Sequence, residues 1–272
     1  MAEQTDLAER FLALHHGSTP LLMPNPWDAG SARILESLGF EALATTSSGH
    51  AATLGRLDGQ VSREEALAHA ATVAAAVTVP VSADLEGGFA EDPPSVAATI
   101  TEAISAGLAG CSIEDIDRSA DDPVYELGFA TERVRAAAEA AHGGQRRLVL
   151  TARADGILHG RDLDDSITRL QAFQEAGADV LFAPGVTELD DIRRVVSSVD
   201  RPVNVLSPPG GPTVAQLAAA GVARVSVGGG FAYAALGALV EAARELLDGG
   251  TQGSQERAGV GRKAARDAFT RQ

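Results

Sequence analysis

Cysteine is nearly absent from this chain: Cys111 is the only one in 272 residues. A lone thiol excludes an intrachain disulfide and any zinc cluster built on cysteines. Aromatic side chains are scarce too, at 4% with Trp27 the single tryptophan. The 45% hydrophobic fraction is therefore mostly Ala, Val, Leu and Ile, which suits parallel strands buried under helices. No apolar run approaches the ~20 residues of a membrane span. The polar, acidic start Met1-Ala-Glu-Gln-Thr-Asp is unlike a signal peptide. The expectation is a soluble, cytoplasmic protein. Basic residues are in deficit, 22 against 37 acidic, for a net charge of −15. Such a surface repels phosphate backbones and anionic lipid, so neither nucleic acid nor membrane is an expected partner. Net charge cannot steer an anionic substrate either. A site for one must create its own positive potential, as a metal and a few arginines would.

What the chain does have is a strict alternation of short apolar runs with Ala-rich amphipathic stretches. Strands are expected at Leu21–Pro24, Ala42–Thr46, Val79–Asp84, Gly110–Glu114, Arg147–Thr151, Asp179–Ala183, Pro202–Leu206 and Ala223–Val227. Helices are expected near 28–39, 62–78, 92–107, 131–142, 163–176, 187–199, 213–220 and 229–248. Several end in a stop glycine before the next strand, as in Leu38-Gly39, Ala106-Gly107, Ala176-Gly177 and Ala220-Gly221. Such βα alternation implies a parallel sheet, and eight units in a chain close to the ~250 residues of one barrel favour a closed (β/α)₈ TIM-type barrel. An open doubly wound sheet would need a glycine-rich nucleotide turn after the first strand, where Pro24-Asn25-Pro26-Trp27-Asp28 stands instead. A helix over 5–16 precedes the barrel, and Gly249-Gly250 sets off a C-terminal helix at about 251–270. With no linker or low-complexity segment, residues 1–272 read as one domain with its barrel core at about 20–248.

Active groups of such barrels gather at the C-terminal ends of the strands. The third strand runs out as Asp84-Leu-Glu86-Gly-Gly-Phe, where a period of two sends Asp84 and Glu86 to one side. The fourth ends in Glu114, and Asp58 lies on a loop after the second that can fold over the same mouth. Carboxylates so close repel and partly protonate unless a cation joins them. An all-oxygen set free of histidine favours Mg²⁺, or Mn²⁺, over zinc. The alternative is that these acids cap helices or form surface pairs. Arg153, inward on the fifth strand with Thr151 and Asp155, is a natural clamp for carboxylate or phosphate oxygens, or a brace to Asp155 or Glu114. Asn204 faces inward on the seventh. Ser47, Ser48, Gly49 and His50 follow the second strand as a loop able to offer backbone N–H groups to an anion, or as an ordinary turn. Ser226-Val-Gly-Gly-Gly230 resembles a barrel phosphate site or a tight turn. Trp27 either walls the pocket or staples the first helix. Cys111 is out of phase with Glu114 and should pack inertly among the helices.

Taken in order, Asn25-Pro-Trp-Asp-Ala-Gly-Ser-Ala, Thr46-Ser-Ser-Gly, Leu54-Gly-Arg-Leu-Asp58, Asp84-Leu-Glu86-Gly-Gly-Phe, Cys111-Ser-Ile-Glu114-Asp115, Thr151-Ala-Arg153-Ala-Asp155 and Pro202-Val-Asn204-Val-Leu resemble the isocitrate lyase/phosphoenolpyruvate mutase superfamily over about residues 20–248. The resemblance implies the family's barrel, assembled as a homodimer or homotetramer with C-terminal helices exchanged between subunits. It implies Asp84 as a direct metal ligand, Asp58, Glu86 and Glu114 as holders of metal waters, and Arg153 as the substrate arginine. Ser48 and Gly49 would belong to the loop that binds the 2-oxo-carboxylate. Where many relatives carry Asp-x-Asp, this chain has Asp84-x-Glu86. Its lid after the fourth strand, Ile116-Asp-Arg-Ser-Ala-Asp-Asp-Pro-Val-Tyr-Glu-Leu-Gly, lacks the Lys-(Lys/Arg)-Cys-Gly-His of the lyases and the lysines of the phosphonate enzymes. Arg118 is the only lid cation, and Tyr125 and Glu126 are candidates for handling protons.

The activity implied is a Mg²⁺-dependent carbon–carbon lyase of a small 2-oxo or 2-hydroxy acid, working through an enolate. The alternatives are mutase or hydrolase chemistry at a phosphorus–carbon bond, and a barrel that binds a 2-oxo acid without turning it over.

Overall fold

A computed structural model describes residues 2–270. It begins with α1 (Ala2–Leu14) and continues β1 (Leu21–Met23), α2 (Ala29–Ser37), β2 (Leu43–Ala44), α3 (Ser47–Thr53), α4 (Arg63–Ala76), β3 (Val81–Asp84), α5 (Pro93–Ser105) and β4 (Gly110–Glu114). The second half runs α6 (Leu127–His142), β5 (Val149–Arg153), a 3₁₀ turn at Gly156–His159, α7 (Leu163–Glu175), β6 (Val180–Phe182), α8 (Leu189–Ser197), β7 (Val203–Leu206), α9 (Val214–Ala219), β8 (Arg224–Ser226), α10 (Gly230–Gly249) and α11 (Gln255–Phe269). All ladders are parallel, in the order β1-β8-β7-β6-β5-β4-β3-β2. The ring closes where Ala44 N donates to Pro24 O at 3.1 Å. The expected eight-stranded α/β barrel with flanking helices is what forms.

Alternation along each strand divides the interior. Cys111 and Ile113 on β4, Leu150 and Ala152 on β5, and Val203 and Val205 on β7 face outward into the core shared with the helices. Their neighbours Ser112, Glu114, Arg153 and Asn204 face the axis and line one central cavity. Cys111 is fully buried, and burial pushes its thiol up, as an inert packing residue requires. Helix α1 plugs the base of the barrel. Phe11 packs there with Leu21, Ala44, Ala109, Val149 and Val180. Gly110 makes room for it, since a Cβ at that position would stand 2.6 Å from Phe11 Cε1.

Four local features differ from the sequence reading. β5 starts two residues late because Arg147 reaches sideways to Asp179, and the ladder opens at Val149 N to Ala109 O, 3.0 Å. The segment after β2 is a helix rather than a loop, with Thr46 as its N-cap. α6 starts four residues early, at Leu127, capped by Glu126. β3 stops at Asp84, so the period of two does not carry on to Glu86, which sits on a turn at φ 49°. At the other end, α11 packs against α2 of its own chain, and α10 leaves Tyr233, Leu239 and Leu247 exposed. No described helix is long and apolar enough to cross a membrane.

Candidate active site

The central cavity, of about 760 Å³, opens at the C-terminal end of the strands. Asp84, the last residue of β3, stands at its rim. Its Oδ2 accepts from Ser47 N at 3.1 Å, and Thr45 Oγ1 accepts from Asp84 N at 2.9 Å. The helical start at Thr46 therefore serves a purpose: it turns the Ser47 amide toward Asp84. Packing decides that helix, because Gly49 is pressed between Thr46, Ala232 and Trp27, and a Cβ there would lie 2.6 Å from Thr46 Cγ2.

Beyond Asp84 the chain makes a strained turn. Glu86 and Phe89 both hold positive φ, 49° and 53°, a conformation that side chains other than glycine adopt only when their surroundings enforce it. The buried Arg133 of α6 does so, donating to the carbonyls of Gly87, Ala90 and Glu91, while Glu114 N donates to Glu86 O at 2.8 Å. Glu86 is thereby placed behind the rim rather than in the main cavity. Together with Asp84 it lines a smaller void shared with His50 and His69.

Two arginines knit the acids together. Arg118, from the lid, lies 3.2 Å from Asp58, 3.4 Å from Glu86 and 3.1 Å from Glu114. Arg153 lies 2.9 Å from Glu114 and 3.5 Å from Asp84. Asp155 grips Arg153 through two N–H groups, at 3.1 and 2.6 Å. Asp155 is itself fixed, because Asp115 accepts from its backbone N–H at 2.8 Å and is held in turn by Arg169. Burial works against the charge on Arg153, but Asp155, Glu114 and Asp84 outweigh it, and the pKa is raised. The carboxyls pay for this crowding. Burial, with Asp84 and Asp58 adding to it against Arg118, lifts Glu86 from 4.5 to about 7. Burial likewise raises Glu114 despite the two guanidiniums that face it.

The other sequence candidates fall into two groups. Ser47, Ser48, Asp58, Arg118 and Asn204 line the cavity with Asp84, Glu114 and Arg153. His50 lies behind it, stacked on His69 at 3.7 Å, with neither ring nitrogen hydrogen-bonded. Trp27 also stands outside the cavity lining, accepting from His69 Nε2 at its carbonyl, 2.9 Å. Gly49 is buried within α3. Tyr125 faces away, its ring under Arg133 at 4.5 Å and edge-on to Phe129. Glu126 spends its side chain on the amides of Gly128 and Phe129, at 2.8 and 3.2 Å. The lid itself is tight. Ile116 and Val124 bridge antiparallel, and Asp117 N donates to Pro123 O at 2.7 Å.

Several residues of the site were not singled out by sequence. Asn25 clasps the barrel seam: its Nδ2 donates to Thr45 O, while its Oδ1 accepts from Val227 N and Gly228 N at 3.0 and 2.9 Å. Those amides of the glycine-rich β8 turn are therefore spent within the protein. His159 stands at the mouth and Arg224 at the floor. A charged residue two positions before Ser226 in an otherwise apolar strand was the available signal for Arg224.

This arrangement can hold a cation at an oxygen-lined rim and an oxyanion between two arginines. The phosphoenolpyruvate phosphomutase family model matches residues 11–247. An uncharacterized protein of Mycobacterium tuberculosis strain H37Rv is 32% identical over 241 residues, 88% of this chain and 89% of that one. A Burkholderia cenocepacia J2315 crystal structure, provisionally labelled a lyase/mutase, superposes with a TM-score of 0.94 at 48% identity, covering 98% of this chain and 96% of that one. Oxaloacetate acetylhydrolase in complex with its product oxalate gives 0.84 at 26% identity, covering 92% and 89%. Further matches include 2-methylisocitrate lyases, oxaloacetate decarboxylases and a 2,3-dimethylmalate lyase. The chain belongs to the phosphoenolpyruvate mutase/isocitrate lyase superfamily, which holds both carbon–carbon lyases and phosphoenolpyruvate mutases.

Proposed function

We propose that this chain is a Mg²⁺-dependent lyase that makes or breaks a carbon–carbon bond of a small 2-oxo or 2-hydroxy carboxylic acid through an enolate. The observation that carries the reading is the convergence of Asp84, Glu114, Asp58 and Glu86 around Arg153 and Arg118 at one end of the barrel. The donor chemistry fits the ion: every donor is an oxygen, and burial leaves Glu86 and Glu114 short of positive charge. Among the described residues no three acidic, histidine or cysteine groups stand together at ligand distance. An ion held there would therefore take few direct carboxylates and keep several waters. Asp84 would bind it directly, with Asp58, Glu86 and Glu114 holding its waters.

When bound, the cation supplies Lewis-acid stabilisation of the enolate. The protein's own groups do the rest. Ser47 and Ser48 border the cavity beside Asp84 and would hydrogen-bond the substrate carboxylate. Arg153, pinned by Asp155, is aimed before the substrate arrives, so its guanidinium meets developing oxyanion charge without reorganising. The lid sets Arg118 over the rim and restricts water. A Schiff base cannot serve as the electron sink, because the only lysine, Lys263, lies on α11 and pairs with Asp267.

Phosphorus–carbon chemistry has less support. The lid brings a single cation to the cavity, and the Val227 and Gly228 amides after β8, placed to cradle a phosphoryl group, donate to Asn25 instead. The exposed apolar side chains of α10 support a homo-oligomer, with α11 exchanged or packed beside it; light scattering gives its mass. The activity is tested by incubating the protein with Mg²⁺ and a panel of C4–C7 2-oxo and 2-hydroxy acids while following pyruvate, oxaloacetate, succinate and CO₂. Release of one of these is expected. Conversion of a phosphono-2-oxo acid in ³¹P NMR, or tight binding without turnover of any member, would replace the reading.

A further inference from the structure

Below the acidic rim the cavity changes character. Barrel interiors of this type are usually filled by layers of branched aliphatic side chains. Here Ser82, Ser112, Asn204, Arg224 and Ser226 line it beside Met23, Ala44 and Leu206. Arg224, the first residue of β8, is 2% exposed. Its Nε donates to Asn204 Oδ1 at 2.8 Å, one terminal nitrogen to Thr151 Oγ1 at 3.1 Å, and the other to His15 Nε2 at 3.1 Å. His15 must accept that bond, because its Nδ1 holds the ring proton against Phe11 O at 2.7 Å. The imidazole is thus neutral, as are the amide and the hydroxyl. Among the described residues, no acidic group offsets the burial of this guanidinium. The contrast with Arg169 is direct: that arginine is also buried, but it faces both Asp115 and Asp165.

An isolated charge in a dry interior is costly unless an opposite charge joins it. Three of the five guanidinium N–H groups are engaged, leaving two for a ligand. The cavity is thereby polarised, with carboxylates at the rim and one unneutralised cation at the floor. Thr151, which Arg224 reaches, lies two residues below Arg153 on β5, a drop of ~7 Å. The neutral shell of Thr151, Asn204 and Ser226 supplies further hydrogen-bonding groups around the charge.

We propose that Arg224, held from behind by Thr151 and flanked in the cavity by Asn204 and Ser226, forms a carboxylate-binding site at the cavity floor that takes the far carboxylate of an extended substrate. The site selects diacids over monoacids of equal length. The inference rests on the proposed function only for the near end of that substrate, the 2-oxo acid at the rim.

The test uses calorimetry with wild-type protein and Mg²⁺ and three probes: oxalate, which reaches only the rim, and the five-carbon pair 2-oxoglutarate and 2-oxopentanoate. 2-Oxoglutarate is expected to bind about tenfold or more tightly than 2-oxopentanoate, the scale of a charge-assisted hydrogen bond. Arg224→Gln should abolish that preference and leave oxalate binding intact. If this variant does not fold, Thr151→Val, which removes one neutral partner, should reduce the preference instead. Oxalate binding with equal affinity for the two five-carbon acids overturns the floor site and spares the rim. Failure of oxalate to bind sinks the proposed function, and the floor is then judged by a bromide-soaked crystal, where an anomalous peak beside Arg224 supports it and its absence overturns it. Where oxalate does bind, a bromide peak without discrimination between the five-carbon acids counts against it, because the site would then hold only a free small anion.

Discussion

Lowering the pH from 8 to 6 should weaken Mg²⁺ binding to this protein at least about tenfold. The reasoning starts from Glu86, whose pKa burial raises from 4.5 to about 7 in the metal-free chain. A group titrating near 7 goes from about nine-tenths ionised at pH 8 to about one-tenth at pH 6, and a cation competes with that proton for the carboxylate. Glu114, also raised by burial, adds in the same direction. The sign for stability is opposite in the absence of metal. A carboxyl whose folded pKa lies above its unfolded one stabilises the fold below the unfolded value, and that contribution is lost as the pH rises through the folded value. For Glu86 the displacement amounts to about 3 kcal/mol, so the metal-free protein should lose thermal stability between about pH 5 and 7.5. Mg²⁺ should restore it at the upper end. Calorimetry in buffers of different ionisation enthalpy counts the protons released on binding, with one to two expected near pH 7. Affinity that is flat from pH 6 to 8, with no proton released, would refute the argument, and Glu86→Gln should flatten the profile.

Arg153→Lys keeps the charge but loses the two-pronged grip of Asp155, and turnover should fall roughly 10²–10³-fold, the scale of a lost oxyanion donor, with the circular dichroism unchanged. Arg118→Ala frees Asp58, Glu86 and Glu114 from their lid contact; Mg²⁺ should bind more tightly by calorimetry while turnover drops. Glu126→Ala should cost about 1 kcal/mol through its lost helix cap and leave kcat within about twofold; a large loss of kcat would return Glu126 to the chemistry. Phe11→Ala should destabilise the barrel base by ~3–5 kcal/mol in chemical denaturation.

Where inward phase could be counted along a strand, the sequence placed residues well. Glu114, Arg153 and Asn204 reach the cavity because each stands an even number of positions from another inward residue on its own strand, and βα alternation alone implied the barrel. The failures share a different physics. Thr46-Ser-Ser-Gly-His is poor helix-forming material, and it becomes a helix only because Gly49 lets Trp27 and Ala232 press against it. Glu86 leaves the strand because Arg133, far along the chain, holds three carbonyls of its turn. Glu126 looks like a proton carrier until Gly128 and Phe129 are seen to begin a helix over it. Each outcome is set by a contact between residues distant in sequence, or by a backbone need that composition does not record.

The chain's strongly negative charge raises the question of how it attracts an acid at all. The cavity answers locally. Arg118, Arg153 and Arg224 all line it, and they differ in how far each is already neutralised. Arg153 is largely neutralised by Asp155 and Glu114, which hold it aimed into the cavity. Arg118 is shared among three carboxylates on a half-exposed lid, and is the one a second cation at the rim would release. Arg224 alone faces no acid. On the proposed function, a positive potential near Asp84 would arrive with the metal, whereas the floor carries its own. An anion entering the mouth would then meet a rim that repels it before the metal binds, and order of addition should follow: in steady-state and binding experiments, the metal should be required before the acid, and the acid alone should bind only weakly.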